Sequence, residues 1–145
     1  GDIDIVTGDD DPDINIYNNS GNRLTWTKHE VDGAVGEAAA DDVISLAVAD
    51  LDNNGYVDII AATEDENIVI YSNNGNPFTN AWQQVDMRFD TVNNDDFVVE
   101  IGDVNSDGFV DIVAANETGD NLFWMINDKT PFSGEIWQTI TIKKR

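Results

Sequence analysis

The stretch that decides the fold is DDVISLAVADLDNNGYVDIIAA at residues 41–62, because it recurs as DDFVVEIGDVNSDGFVDIVAA at residues 95–115. The two copies lie 53 to 54 residues apart. Three columns, spaced 53 to 56 residues apart, extend the repeat back to the start of the chain: Gly1, Gly55 and Gly108; Asp4, Asp58 and Asp111; Trp26, Trp82 and Trp137. Self-similarity at a period of this size indicates a repeat architecture. The chain therefore contains three copies of one unit, and the first copy lacks the part that would precede Gly1.

Each copy divides into four short β segments. The first segments cover 43–49 and 97–102, the second 57–62 and 109–115, and the third 14–17, 68–72 and 121–126, while the fourth follows each Trp of the repeat. Turns rich in Asn, Gly and Pro separate them, which is typical of antiparallel connections. A β-sandwich also has short strands, but it does not require three near-equal units.

Four strands in about every 50 residues is the period of a β-propeller blade. We therefore predict an all-β chain of β-propeller blades, each made of four antiparallel strands. A single segment spans 1–145, with a partial blade at 1–40 and further blades at 41–94 and 95–145. About three blades, the first incomplete, belong to a larger or oligomeric propeller. Further blades from the parent chain or from other protomers are then expected beside them.

Two acidic loops carry the candidate chemistry. Side-chain oxygens stand at loop positions 1, 3, 5 and 9, a Gly at position 6 permits a left-handed turn, and the carbonyl at position 7 adds a ligand. Oxygen ligands in this number suit Ca²⁺ better than Mg²⁺, which requires a strict octahedron. The predicted ligands are Asp50, Asp52, Asn54, Tyr56 (carbonyl) and Asp58 in one copy, and Asp103, Asn105, Asp107, Phe109 (carbonyl) and Asp111 in the other.

These loops are not EF-hands, which require a bidentate Glu at position 12 and flanking helices. Position 12 is Ala61 in one copy and Ala114 in the other, and both lie in strand-like apolar runs. The Asp at position 9 must then complete each site. The alternative is an Asx-rich turn that binds no metal. We expect two intact Ca²⁺ sites, because Asp4 is the remaining ligand of a third loop whose first positions are absent.

Composition excludes several classes of function. The formal net charge is −22, with 29 acidic residues against 7 basic ones, so we expect no nucleic-acid partner. The chain has no Cys and no apolar run long enough for membrane insertion. His29 is the only His, so neither a His-based triad nor a His cluster for a metal can form. We expect no enzyme activity, and we expect Trp124, which breaks its column, to pack in the core.

The two loops, each followed by Ile-Ile-Ala-Ala or Ile-Val-Ala-Ala, resemble FG-GAP/VCBS repeats, the blades of integrin α-subunit propellers, some fungal lectins and many secreted bacterial proteins. The resemblance covers essentially all 145 residues and implies one Ca²⁺ per loop. It implies a secreted or cell-surface, extracellular module that serves as a non-catalytic binding or adhesion surface for a carbohydrate or protein ligand. The alternatives are the propeller portion of a secreted polysaccharide-degrading enzyme of the lyase type, and a purely structural repeat fragment.

Overall fold

The structure, a computed structural model, describes residues 3–8, 14–21, 24–31, 42–64, 67–79, 82–88, 97–116, 120–135 and 137–143. Within those ranges the secondary structure consists of eleven strands and no helix. The strands are β1 (Ile5–Gly8), β2 (Ile14–Asn19), β3 (Trp26–Glu30), β4 (Val43–Ala49), β5 (Asp58–Thr63), β6 (Asn67–Ser72), β7 (Gln83–Arg88), β8 (Phe97–Gly102), β9 (Asp111–Asn116), β10 (Asn121–Ile126) and β11 (Gln138–Lys143). No helix in these ranges has the length and hydropathy needed to cross a membrane.

The strands form three antiparallel sheets, each a meander in chain order. Sheet I contains β1, β2 and β3; sheet II contains β4 to β7; and sheet III contains β8 to β11. The prediction of an all-β chain is thus confirmed for the described residues. The prediction of four antiparallel strands per unit is confirmed for sheets II and III, and sheet I has three strands among the described residues. Each sheet draws its strands from one predicted unit. The predicted boundaries at 40/41 and 94/95 lie outside the described residues.

The predicted strands agree with the observed ones where apolar residues are continuous. The strands predicted at 43–49, 97–102 and 121–126 match β4, β8 and β10 residue for residue. The second strand of each unit begins later than predicted, at Asp58 and at Asp111. The reason is that the residues just before these Asp residues still belong to the acidic loop, which the Asp carboxylate closes.

The change in repeat spacing from 54 to 53 residues has a local cause in β4. The pairing of β4 with β5 shifts register between Val43 and Ser45, so one extra residue, Ile44, is accommodated as a bulge. The equivalent pairing of β8 with β9 runs without a shift from Phe97 to Gly102. The extra residue therefore lengthens the second unit without altering the position of its acidic loop.

Sheet II has both faces buried, one against each neighbouring sheet. Its residues toward sheet III include Ile60, Ile70 and Met87, which form one apolar cluster with residues such as Phe97 and Ile112. Alternate residues face the other way and form a second cluster with sheet I; Ile59, Ala61, Val69 and Tyr71 join Ile14, Ile16 and Val31 there. The alternation follows from the two-residue period of side chains along a strand. Three sheets stacked face to face is the arrangement expected of neighbouring propeller blades.

Two of the three repeated Trp residues pack between the sheets. Trp137 is buried in the cluster between sheets II and III, and Trp82 packs against the cluster between sheets I and II. Each of these two indoles donates a hydrogen bond to the carbonyl of a Pro a few residues earlier, Pro131 and Pro77 respectively. Trp26 is 39% exposed on sheet I. The repeat thus places one indole per unit at the same blade position.

Candidate metal centres in the acidic loops

The two acidic loops, 50–58 and 103–111, have the same backbone conformation. Each contains two residues with positive φ, Asn53 at 58° and Gly55 at 90° in one, Ser106 at 61° and Gly108 at 89° in the other. The predicted left-handed turn at loop position 6 is confirmed in both. A side chain at this Gly would find open space but would require a strained backbone. The repeat therefore reproduces the loop at the level of single dihedral angles.

The first Asp of each loop accepts hydrogen bonds from the backbone amides of the turn that follows it. Both oxygens of Asp50 accept hydrogen bonds from loop amides, Oδ1 from Asn54 at 3.0 Å and Oδ2 from Gly55 at 2.9 Å. Asp103 makes the same pair of bonds to Asp107 and Gly108, at 3.0 and 2.9 Å. Each carboxylate oxygen has two lone pairs, so an amide bond leaves a second one for a cation.

The side chains at loop positions 3 and 5 also accept amide hydrogen bonds. Asp52 Oδ1 accepts from Asn54 N at 3.1 Å, and Asn54 Oδ1 accepts from Tyr56 N at 2.7 Å. In the other loop, Asn105 Oδ1 accepts from Asp107 N at 2.9 Å and Asp107 Oδ1 accepts from Phe109 N at 3.0 Å. These Asx-type bonds hold each side-chain oxygen against the backbone of its own loop.

The Asp at position 9 joins the loop to the strand and is fully buried in both copies. Asp58 Oδ2 accepts a hydrogen bond from Leu51 N at 2.8 Å, and Oδ1 accepts one from Asn73 N at 2.8 Å. Burial raises the pKa of Asp58 from 3.8 to about 6. The two amide bonds lower this pKa, and repulsion from Asp52 and Asp50 raises it further. A cation beside these three carboxylates would favour the ionised form of Asp58 and so offset the effects of burial and of charge repulsion on its pKa.

The carboxylates of loop 50–58 are close enough to share a cation. Asp50, Asp52 and Asp58 each place an oxygen so that the three atoms lie within 4.8 Å of one another. Loop 103–111 does not bring its three carboxylates together in this way, although all its residues are described: position 3 is the neutral Asn105, and the third carboxylate, Asp107, stands at position 5 instead. Both donor sets consist of oxygen alone, which is the preference of Ca²⁺. Asp50, Asp52, Asn54 and Asp58 are the side chains that would hold the ion in one loop, and Asp103, Asn105, Asp107 and Asp111 in the other.

That the carbonyls of Tyr56 and Phe109 are the ligands at loop position 7 stays a prediction. The backbone amides of the same two residues donate to the side-chain oxygens of Asn54 and Asp107 at loop position 5. The site prediction for position 7 therefore rests on loop spacing.

One Asn per unit, which the sequence analysis missed, holds the position-9 Asp in place. The backbone amide of Asn73 donates to Asp58 Oδ1, and the backbone amide of Asn127 donates to Asp111 Oδ1 at 2.9 Å. Their side chains then donate to the carbonyls of Val57 and Val110, at 3.0 and 3.1 Å. Asn19 makes the corresponding amide bond to Asp4 at 2.8 Å. The signal was present in the sequence, because the Asn recurs with the period of the repeat.

The prediction that Trp124 packs in the core is wrong, because among the described residues Trp124 belongs to neither apolar cluster. The side chain is half-buried, and its indole Nε1 donates to Asp111 Oδ2 at 3.1 Å, where Val104 N also donates at 3.1 Å. Ile70 occupies the same position of the preceding unit, so Asp58 has no such indole donor. Trp124 is therefore part of the surroundings of loop 103–111.

The two loops contact each other at the same end of the stacked sheets. Asn53 Nδ2 donates to the Gly108 carbonyl at 3.2 Å, and the buried Asn127 Nδ2 donates to the Leu51 carbonyl at 2.8 Å. Leu51 is fully buried between sheets II and III. His29 contacts Phe78, with ring centroids 4.8 Å apart and ring planes tilted by 42°.

Comparison with known proteins agrees with the repeat. Residues 50–114 match the family described as the FG-GAP-like repeat. The matched segment begins at Asp50, the first residue of loop 50–58, and ends in β9, just past loop 103–111. No curated protein matches the chain. The FG-GAP resemblance is thus confirmed for the part of the chain that contains both loops.

Proposed function

Because the chain carries an FG-GAP-like repeat at residues 50–114, which supports a module of the β-propeller type, we propose that it is a calcium-binding propeller segment. It works outside the cell, where free Ca²⁺ is high, as a non-catalytic surface that binds carbohydrate or protein. Extracellular proteins are the typical setting of FG-GAP repeats. The observation that carries the proposal is the carboxylate cluster of Asp50, Asp52 and Asp58, which is held together by backbone bonds.

Calcium would connect the loops to the packing of the sheets. Asp58 and Asp111 are at once predicted ligands and the first residues of β5 and β9, and Leu51 lies in the core directly after the first ligand. Without a cation, the like charges in each loop repel, which loosens the loop and the strands that it joins. The ion would therefore stabilise the blade itself.

A chelator experiment tests this role. At free Ca²⁺ of about 100 times the dissociation constant, each site stabilises the folded state by roughly 2.7 kcal/mol. We expect chelation to lower the melting temperature by many degrees and Mg²⁺ to restore little of the loss, since Mg²⁺ fits a strict octahedral site. An unchanged melt in chelator would leave the loops as Asx-rich turns without a metal.

A surface depression beside loop 50–58 is the place where we propose that the ligand binds. It measures about 200 Å³ and is lined by Asp52, Lys129, Thr130 and Phe132 among others. A hydroxyl, a charge of each sign and an aromatic ring are the groups that recognise a polyhydroxylated ligand. Asp52 is also a predicted metal ligand, so ligand binding is expected to depend on Ca²⁺.

Lys129→Gly tests the depression with little disturbance of the backbone. Lys129 has a φ of 75°, and the equivalent position of the preceding unit is Gly75 with a φ of 97°, so glycine suits this conformation. We expect the variant to lose signals on a glycan array, measured in Ca²⁺, and to keep the wild-type melting temperature. A polysaccharide-cleavage assay separates binding from catalysis: turnover of any polysaccharide would contradict a non-catalytic module and favour the enzyme alternative.

Propeller assembly is the last part of the proposal. Sheet III presents an outer face with Trp124, Ile140 and Ile142, at positions equivalent to the buried Ile70, Val85 and Met87 of sheet II. Ile140 and Ile142 are exposed. Such faces favour a further blade beside them. Native mass spectrometry is expected to show assembly, and a stable folded monomer would contradict it.

A further inference from the structure

We infer that the two acidic loops bind Ca²⁺ with positive cooperativity, and that Asn127 is the main residue that couples them. The inference rests on the proposed function, because it takes both loops to be cation sites. It goes further by making the occupancy of each site regulate the affinity of the other. The observations behind it are two hydrogen bonds that cross from one unit to the next and join the loops.

The first connection links the two carboxylates at loop position 9. Asp58 Oδ2 accepts from the backbone amide of Leu51 at 2.8 Å, and the Leu51 carbonyl accepts from Asn127 Nδ2 at 2.8 Å. The backbone amide of Asn127 donates in turn to Asp111 Oδ1 at 2.9 Å. Two residues, Leu51 and Asn127, thus stand between the carboxylate that closes one loop and the carboxylate that closes the other.

This connection is shielded from water. All four of its residues are buried, and the largest exposed fraction among them is 1%, at Asn127. A hydrogen bond in such surroundings is stronger than in water, and a buried donor that loses its acceptor raises the free energy of the fold. A shift of either carboxylate therefore affects the whole connection, because water cannot replace a bond that is lost within it.

The second connection joins the turns of the two loops at the surface. Asn53 Nδ2, at position 4 of its loop, donates to the carbonyl of Gly108, at position 6 of the other, at 3.2 Å. Both residues have positive φ, at 58° and 89°, so both belong to the turn that gives its loop the observed conformation. The turns are thus linked to each other, as are the carboxylates that follow them.

The sign of the coupling follows from the cost of ordering. Without a cation, the like charges in each loop repel and loosen it. Occupancy of loop 103–111 fixes Asp111, and through it Asn127 and the carbonyl of Leu51. The amide of Leu51 is then already held toward Asp58, so the other loop loses less conformational entropy when it closes around its own ion. Binding at one loop therefore favours binding at the other.

Charge acts in the opposite direction, but more weakly. The first ion reduces the negative potential that attracts the second. Most residues of both loops are exposed to water, and salt at physiological concentration screens charges that are more than about 8 Å apart. We therefore expect the occupied loop to strengthen Ca²⁺ binding at the other by about ten-fold.

Asn73 is a matched control for Asn127, because it has the same place in the preceding unit. Each of the two donates its backbone amide to the position-9 Asp of its own unit and its Nδ2 to the carbonyl just before that Asp. Each also accepts at Oδ1 from the amide two residues later. Of the two, only Asn127 donates to the other acidic loop within the ranges that the structure describes.

The test follows each loop separately by nuclear magnetic resonance of the ¹⁵N-labelled full chain during addition of Ca²⁺. The amide signals of Gly55 and Gly108 report the occupancy of the two loops. Asp103→Asn impairs loop 103–111 and should weaken Ca²⁺ binding at loop 50–58 by about ten-fold. Asp50→Asn should weaken binding at loop 103–111 by the same factor, because coupling between two sites is reciprocal.

The same measurement in a second set of variants identifies the coupling residue. In the Asn127→Ala chain, Asp103→Asn should change the affinity of loop 50–58 by less than about two-fold, whereas in the Asn73→Ala chain the loss should stay near ten-fold. Asn53→Ser provides a milder change, because Ser106 has the same loop position with a φ of 61°. It should reduce the coupling in part, and it keeps the test available if Asn127→Ala does not fold.

The outcomes separate this inference from the proposed function. Uptake of two Ca²⁺ with no effect of Asp103→Asn on loop 50–58 would overturn the coupling and leave the calcium sites in place. Unequal losses in the two single-site variants would also overturn it, by assigning the effect to local damage. A full ten-fold loss that persists in both the Asn127→Ala and the Asn53→Ser chains would reject the connections described above. Absence of any Ca²⁺ uptake would reject the proposed function and the coupling together.

Discussion

Loop 50–58 lies between two sheets, whereas loop 103–111 has a packed sheet on one side only among the described residues. Leu51 in the former is fully buried, and its counterpart Val104 is 50% exposed. Nevertheless, the hydrogen bonds within the two loops match almost one for one. The loop conformation is thus determined locally by the repeat, and packing is a separate contribution. The two loops therefore allow metal binding and packing to be measured independently.

The largest difference is expected from truncating the two apolar loop residues. Leu51→Ala removes a buried side chain from the core between sheets II and III and should lower the free energy of unfolding by about 2–5 kcal/mol. Val104→Ala changes an exposed residue and should stay within about 0.5 kcal/mol of wild type. Urea denaturation in saturating Ca²⁺ measures both. Similar losses in the two variants would mean that the loops have similar surroundings in solution.

The next effect concerns pH in the metal-free protein. The pKa of Asp58 is raised to about 6 in the folded state, above the ordinary value of 3.8, so the folded state binds a proton more tightly than the unfolded chain. Stability should therefore fall as the pH rises from about 4 to 6, and the melting temperature in chelator should be several degrees higher at pH 5 than at pH 7. Asp58→Asn should reduce this dependence. In saturating Ca²⁺ the trend should reverse, since the cation favours the ionised carboxylate.

Exchanging the residues at loop position 3 sharpens the comparison of the two sites. Asp52→Asn gives loop 50–58 the neutral residue of the other loop and should weaken its Ca²⁺ binding by about ten-fold, because affinity follows the number of charged ligands. Asn105→Asp should strengthen the other site. Calorimetric titration of each variant resolves the two sites. Equal affinities in wild type and both variants would show that position 3 faces away from the ion.

The smallest effect is expected at Trp124. Its indole donates to Asp111 Oδ2 and so competes with a cation for the same oxygen. Trp124→Phe keeps an aromatic ring and removes the donor, which should strengthen Ca²⁺ binding at loop 103–111 a few-fold. Loop 50–58 of the same Trp124→Phe variant is the internal control, because Asp58 has no indole donor, and its affinity should be unchanged. A weaker site after Trp124→Phe would instead show that the indole holds Asp111 in the binding geometry.

Much of the fold followed from short-range patterns. Runs of mostly apolar residues locate β4 and β8, and the period of the repeat predicts that Asp58 and Asp111 occupy equivalent places. Such features depend on residues near one another in the chain. The bulge at Ile44 was not predicted, because a single extra residue between repeats fits a longer turn as well as a bulge.

The parts of the site that were missed depend on long-range contacts. The backbone amide of Asn73 donates to Asp58, 15 positions earlier in the chain. The side chain of Asn127 donates to the carbonyl of Leu51, 76 positions earlier. The period of the repeat marks Asn73 and Asn127 as equivalent positions, but it does not show which groups they contact, because Asn is also common in turns. The contact of Trp124 with Asp111 likewise requires the pairing of β9 with β10 to be known.

Calorimetric titration of the metal-free chain with Ca²⁺ tests the central claim, that the two acidic loops are cation sites, most directly. We predict two equivalents for the wild type. Asp50→Asn and Asp103→Asn, which keep the side-chain volume, should each remove or greatly weaken one equivalent and leave the other. Uptake of no Ca²⁺ by a folded wild-type chain, or two unchanged equivalents in both variants, would contradict the claim.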